Sequence, residues 1–224
     1  MSLPIAVLVS GSGSNLQALI DKIEAGTLDA RITLVLSNKP GAYALERAGR
    51  AGLKTLCLPH ADYPDRQEFD RTMIRAIKDS GAQAVVLAGF MRLLSVEFLR
   101  AFPSRVVNIH PALLPSFPGS HGQADAAAYG VTISGCTVHF VDEDMDHGPV
   151  IIQAAVPAYP DDDGETLGGR ILKFEHRILP QAIQWLAEER LRIEGRKVRL
   201  LPSGRSLAAQ IPDALVNPPL EEGF

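Results

Sequence analysis

Apolar positions along the chain fall into two alternating rhythms. Residues 5–10, 32–37, 55–58, 84–88 and 106–109 are short apolar runs of strand length, each bounded by turn residues. Between them the spacing changes to that of a helix. Leu16, Leu19, Ile20 and Ile23 stand at i, i+3, i+4 and i+7, with Gly26 placed to stop the helix. This alternation predicts right-handed βαβ units and an α/β fold with a mostly parallel sheet covered on both faces.

After residue 110 the rhythm is different. Residues 133–141 and 150–157 read as two strands joined by the acidic loop 142–148, a connection short enough for an antiparallel pair in the C-terminal half. Leu167, Ile171, Phe174, Ile178, Ala182 and Leu186 then share one stripe of a long helix, which Pro180 is expected to kink or break. Residues 191–200, with Glu194 and Gly195 at the turn, suit a small hairpin. Pro202, Pro212, Pro218 and Pro219 predict a loosely held tail. There is no internal repeat. The expected organisation is a single domain over residues 1–200 and a tail over 201–224.

Composition narrows the class. With 46% hydrophobic residues among 224, the chain can bury a substantial core. A net charge of -4 argues against a general nucleic-acid binder. No apolar run approaches the ~20 residues that span a bilayer, and the N-terminus lacks the basic start and small-residue cleavage site of a signal peptide. Cys57 and Cys136, both in apolar runs, read as reduced buried thiols. A cytoplasmic globular protein is expected, with no membrane or nucleic-acid partner.

The first candidate for chemistry is the turn after the first strand. Residues 7–16 read VLVSGSGSNL, an apolar strand running through a glycine-rich turn into a helix. Small residues let the backbone approach a ligand, and the unpaired N–H groups of the helix start face an anion. Ser12, Ser14 and Asn15 add side-chain donors, and Ser14 or Asn15 is placed to cap the helix. A dinucleotide fingerprint would need a third glycine where Leu16 stands, and an acid after the second strand where Ser37 and Asn38 stand. A phosphate loop of the Walker type would need a lysine and a longer spacing. Two readings remain at this point: a cradle for a single phosphate, or a tight glycine turn with an ordinary cap.

The second candidate is VVNIHPALLPSFPGSHG, from Val106 onward, a strand ending in polar residues and entering a proline-rich loop. Asn108 and His110 stand two apart, so on an extended strand they leave the same face. The carboxyl ends of parallel strands are where such folds place their sites. From the residues alone the pair is either functional or structural.

Four segments together, SGSGSNL (10–16), LAGFMRLL (87–94), NIHPALLPSFPGSH (108–121) and TVHFVDEDMDHGPVI (137–151), resemble the phosphoribosylglycinamide formyltransferases of purine synthesis. Their order and spacing also match, over roughly residues 5–190. The resemblance implies a three-layer, mostly parallel Rossmann-like formyltransferase fold. Its N-terminal half would bind the ribonucleotide phosphate, and its C-terminal half would bind folate and carry the catalysis. It implies a transferase that moves the formyl group of 10-formyltetrahydrofolate, as co-substrate and without a metal, to the amine of glycinamide ribonucleotide. Gly13, Ser14, Asn15 and Glu175 would bind the ribonucleotide. Arg66, Met91, Arg92, Leu93, Leu94, Asn108, Val141, Asp142 and Asp146 would bind the folate. Asn108, His110 and Asp146 match the catalytic trio, with His121 in a lesser supporting role. The partners would be small molecules, and the chain a monomer or homodimer.

The trio suits that chemistry. An amine attacking a formyl carbon creates an oxyanion and a protonated nitrogen. Asn108 and a charged His110 can donate to the oxyanion. Asp146 would favour the charged imidazole and accept the amine proton, directly or through a water. The nearest rival is 10-formyltetrahydrofolate hydrolysis, whose enzymes share the trio but add an N-terminal regulatory domain, for which a first strand near residue 5 leaves no room. Methionyl-tRNA formyltransferases add a C-terminal nucleic-acid-binding domain and lack SGSGSNL. A non-catalytic binding module would not need His110 or Asp146, and a nicotinamide oxidoreductase would need the missing glycine and acid.

Other signals point elsewhere. The run Asp142, Asp144, Asp146 departs from an EF-hand, which wants glycine and glutamate where His147 and Gln153 stand. The six histidines lack zinc-ligand spacing. His139 on its strand reads equally as a site residue or a structural one. His147 stands where family members carry a small or polar residue, and residues 124–126 fill a stretch that often carries an arginine.

Overall fold

The computed structural model describes residues 2–209, 211–212 and 214–224. Met1 of the expected domain and Gln210 and Asp213 of the expected tail lie outside them. No helix among the described residues is long and apolar enough to cross a membrane. The chain divides into two compact units, Met1–Asn108 and Ile109–Phe224.

The first unit is built as the alternation predicts. Its strands are β1 (Leu3–Val9), β2 (Ala30–Ser37), β3 (Thr55–Cys57), β4 (Ala84–Leu87) and β5 (Val106–His110), whose last two residues open the second unit. They lie in the order β3-β2-β1-β4-β5, and every pairing is parallel. All of β1 and β4 is buried, as continuous apolar strands of a parallel sheet require. Helix α1 (Ser14–Glu24) buries Leu16, Leu19 and Ile20. Helices α2 (Tyr43–Arg50), α3 (Arg66–Asp79) and α4 (Val96–Ala101) complete the unit. Asp65 caps α3 by accepting from the Glu68 N–H, and Ser95 caps α4 by accepting from Phe98.

In the second unit, β6 (Ile133–Phe140) pairs antiparallel with β7 (Val150–Pro157), as expected from the two runs and their short connection. Helix α5 (Gly122–Tyr129) packs on α6 (Gly164–Ala187), and α6 covers β6 and β7. A capping box of Asp163 and Thr166 starts α6. The predicted hairpin is present as β8 (Leu191–Glu194) and β9 (Lys197–Leu200). The molecule therefore has mostly parallel strands with an antiparallel pair in the C-terminal half, flanked by helices.

Two expectations are corrected. Helix α6 runs unbroken through Pro180, which lies among the buried residues Ile178, Leu179, Ala182 and Ile183. Proline removes one helical hydrogen bond, and the burial of the residues around it keeps the helix continuous, so the break does not occur. The tail is not loosely held either. Its strand β10 (Leu215–Asn217) pairs with β7, and Leu220, Glu221 and Phe224 are buried. Prolines near a terminus report where a regular element stops; they do not report whether the segment finds a surface to pack on.

Candidate functional site

In the first unit the glycine loop follows β1. Gly13 stands at the N-cap of α1 with φ 73°, and no side chain caps the helix, which corrects the expectation that Ser14 or Asn15 does so. Ser14 is instead the first helical residue, and no acid lies in the first turn. Only glycine fits at 13: a Cβ there would stand 2.5 Å from Ala44 Cβ, besides facing the left-handed backbone. The helix start thus keeps its N–H groups directed out of the turn, the arrangement that suits a phosphate. Arg47, on α2, donates from Nε to the Ser12 carbonyl at 2.9 Å and brings a positive charge to this loop.

The carboxyl ends of the parallel strands are tied together by a polar chain that the sequence reading missed. Ser10 Oγ donates to Asn38 Oδ1 at 2.6 Å and accepts from the Met91 N–H at 2.9 Å. The Ser10 N–H donates to the Gly89 carbonyl at 3.0 Å. The glycine loop and the segment 89–91 are therefore fixed to one another through a single serine. In that segment Met91 and Leu93 are exposed, and Arg92 and Leu94 are half-buried. Asp70, buried on α3, accepts from the Ser95 N–H at 2.6 Å, just beyond these residues. Burial raises the Asp70 carboxyl above its ordinary range, against the opposing effect of its hydrogen bonds to Ser95 and of nearby Arg66 and Arg92. Arg66 itself is exposed at the first position of α3. Polar residues at the ends of apolar strands were the available signal for Ser10 and Asn38; nothing local marks Arg47.

Asn108 and His110 lie on β5 as expected, two residues apart, with Asn108 half-buried. His110 is buried in the second unit. Its Nε2 donates to the Phe117 carbonyl at 2.8 Å, and its Nδ1 lies 3.5 Å from Asp146 Oδ2. A carbonyl can only accept, so the first proton is on Nε2. A second proton on Nδ1 would face the carboxylate.

Asp146 is held just as firmly. Its Oδ2 accepts from the Gly119 N–H at 2.8 Å, and its backbone has φ 51°, a left-handed conformation that aspartate tolerates and that is common where a side chain must be aimed. The second oxygen lies 3.8 Å from Nε2 of His139. His139 is buried on β6 and donates from Nδ1 to the Phe140 carbonyl at 2.8 Å. Burial lowers its pKa below 6.5, and the hydrogen bond to Phe140 and the charge of Asp146 oppose that shift only in part. One imidazole beside the carboxylate is therefore biased to stay neutral.

The remaining second-unit candidates are more dispersed. Val141 and Asp142 are half-buried at the start of the acidic loop. Glu175 is buried on α6, near Cys136, whose thiol is pushed well above its ordinary range, chiefly by burial and then by that carboxylate. His121 is exposed at the start of α5, with Nδ1 2.9 Å from Ser120 Oγ. Cys136 is a buried free thiol, as expected, and Cys57 is a free but only half-buried one. Among the described residues, no group of three or more His, Cys, Asp or Glu is arranged to hold a metal ion.

Residues 3–183 match the family model described as formyl transferase. The chain belongs to the formyl transferase family. Phosphoribosylglycinamide formyltransferase of Escherichia coli is 42% identical over 84% of this chain and 89% of its own length. Glycinamide ribonucleotide transformylase 1 from Symbiobacterium toebii superimposes with a TM-score of 0.88 at 49% identity, covering 90% of this chain and 95% of that one. The trifunctional purine biosynthetic protein adenosine-3 of Drosophila pseudoobscura pseudoobscura is 51% identical over 84% of this chain, which spans only 14% of that protein's length. A formyltetrahydrofolate deformylase from Pseudomonas syringae is a more distant structural neighbour. It has a TM-score of 0.83 at 25% identity, over 90% of this chain and 67% of its own.

Proposed function

We propose that this formyl transferase is a phosphoribosylglycinamide formyltransferase. It takes the formyl group of 10-formyltetrahydrofolate and passes it to the amine of glycinamide ribonucleotide, two small-molecule substrates, in purine biosynthesis. The observation that carries the reading is the buried His110–Asp146 pair, fixed from both sides by the backbone of residues 117 and 119. The high identity to transferases over most of their length supports it over hydrolysis.

The proposed reaction needs no covalent bond to the protein. The amine lone pair attacks the formyl carbon, and the carbonyl electrons move to oxygen. Asn108 donates its amide hydrogen to that oxyanion. A charged His110 gives it a stronger, charge-assisted bond through Nε2–H, which would turn to the oxyanion from the Phe117 carbonyl that accepts it here. Asp146 takes a proton from the attacking nitrogen, directly or through a water, and the folate nitrogen leaves with a proton as the carbonyl re-forms.

The binding roles follow the same logic. Gly13, Ser14 and Asn15 hold the phosphate at the start of α1, where the uncapped turn and Arg47 suit an anion. Glu175 pairs with the glycinamide ribonucleotide. Arg66, Met91, Arg92, Leu93, Leu94, Val141, Asp142, Asn108 and Asp146 serve the folate, with Met91 and Leu93 offering exposed apolar surface. Two free thiols fit a cytoplasmic setting.

The test is to follow folate deformylation by absorbance with purified protein, with and without glycinamide ribonucleotide. Turnover that requires the ribonucleotide establishes the transferase. Equal turnover with folate alone makes the chain a hydrolase and leaves the glycine loop to another anion.

A further inference from the structure

The acidic loop of the second unit is joined to the β8–β9 hairpin by one side chain. Arg196, in the hairpin turn, donates from Nη2 to the His147 carbonyl at 2.6 Å. Its Nη1 lies 2.9 Å from His147 Nε2 and 3.0 Å from Nδ1. On its other side, His147 Nδ1 is 3.0 Å from Asp142 Oδ2 and 3.7 Å from Asp144 Oδ2. The Asp144 N–H in turn donates to Asp142 Oδ1 at 3.2 Å. With a proton on Nδ1, the imidazole donates to Asp142 and accepts from Arg196 at Nε2.

The loop has a second anchor one residue further on. A Cβ on Gly148 would collide with the Phe140 carbonyl, and the Phe140 N–H donates to Pro149 O at 2.9 Å. Asp146 immediately precedes the tethered His147 and needs a left-handed backbone to reach His110. What restrains His147 therefore restrains the aim of Asp146. Arg196 lies outside the residues 3–183 that match the family.

We propose that Arg196 is a positioning residue: by gripping the His147 backbone and ring, it holds the 142–148 loop in the conformation that binds folate and presents Asp146. This rests on the formyltransferase reading above for its functional consequence, though the tether itself does not depend on it. A guanidinium bond to a backbone carbonyl is charge-assisted, but His147 is half exposed, so water weakens the tether.

Two measurements on Arg196→Gln test the proposal. Amide hydrogen exchange in residues 142–148 should quicken several-fold, while β6 and β7 exchange as in the parent. Tetrahydrofolate, titrated calorimetrically, should bind about three- to tenfold more weakly, and the KM for 10-formyltetrahydrofolate should rise alongside. The KM for glycinamide ribonucleotide should stay fixed. Arg196→Lys, which keeps a donor, should recover part of both effects, and it replaces Arg196→Gln should that variant not fold. Unchanged loop exchange overturns the tether. Faster exchange with unchanged folate binding, or an equal rise in both KM values, overturns the positioning role. A parent protein that neither binds tetrahydrofolate nor transfers formyl groups would refute the formyltransferase reading, and the exchange experiment would still decide the tether.

Discussion

Asp146 holds its Oδ2 atom 3.5 Å from Nδ1 of His110, with both side chains largely withdrawn from solvent. The separation is that of an ion pair rather than a short hydrogen bond. Each partner is aimed by backbone: Phe117 O takes the far proton of His110, and the Gly119 N–H steadies Asp146. The proline-rich loop thus serves to orient the two side chains.

Asp146→Asn keeps the shape but removes the charge and the proton acceptor. We expect kcat to fall by about 10²–10⁴-fold, with the folate KM changing far less. His110→Ala should fall by a similar factor, because it deletes the charge-assisted donor to the oxyanion. The double variant should be little worse than either single one, since the two side chains act together. Steady-state rates with both substrates, beside thermal midpoints to confirm folding, decide this; additive losses would separate the pair into independent roles.

His139 gives the stability curve a direction. Its folded pKa lies below the ordinary 6.5, chiefly through burial, so at mildly acid pH the unfolded chain binds a proton that the folded chain does not. Stability contributed by the neutral ring is complete above 6.5 and declines as pH falls from there toward the folded pKa. Thermal midpoints from pH 8 downward should therefore drop below about pH 6.5. His139→Gln should flatten that part of the curve. An unchanged slope in this variant would assign the acid sensitivity to other groups.

Much of this was legible in the sequence because the relevant signals are local. Five parallel strands follow from short apolar runs, and Asn108 and His110 follow from alternate positions on one of them. What escaped the sequence depends on distant partners. Nothing near Arg47 shows that it meets the Ser12 carbonyl 35 residues away. The steadying roles of Phe117 and Gly119 belong to their backbone, which carries no residue-type signal. The 201–224 segment was misjudged because Leu220 and Phe224 have no periodic pattern, although both are buried. Pro180 does not break α6, because packing outweighs a local rule.

Gly13 tests the phosphate loop. A methyl group there meets Ala44 Cβ at 2.5 Å and Ala44 Cα at 2.7 Å, and the backbone has φ 73°. Gly13→Ala should cost about 1–3 kcal/mol of stability. It should also raise the KM for glycinamide ribonucleotide more than that for the folate, since the start of α1 is displaced. Gly26→Ala provides the control: it too has a positive φ, but its Cβ meets open space. Equal effects from the two variants would attribute the loss to backbone strain alone and deny Gly13 its special place at the loop.

The final prediction concerns the C-terminal segment. Glu221 is buried and pairs with Arg190 Nη1 at 2.6 Å, while its N–H donates to Gln181 Oε1 at 2.7 Å. Arg190 also donates to the Leu201 carbonyl and pairs with Glu188 at 2.8 Å. Glu221→Ala would leave a buried guanidinium with one carboxylate fewer, so a loss of about 3–5 kcal/mol is expected. Replacing both partners, as Arg190→Met with Glu221→Leu, should lose less than Glu221→Ala alone, because the desolvation cost then disappears along with the attraction. By contrast, Glu46→Ala removes only an exposed helical pair with Arg50 and should change stability by about 0.5 kcal/mol or less. Urea midpoints for the three variants distinguish a segment that is part of the fold from an appendage. If Glu221→Ala is as mild as Glu46→Ala, residues 201–224 contribute little, and the buried pair is a consequence of packing rather than its cause.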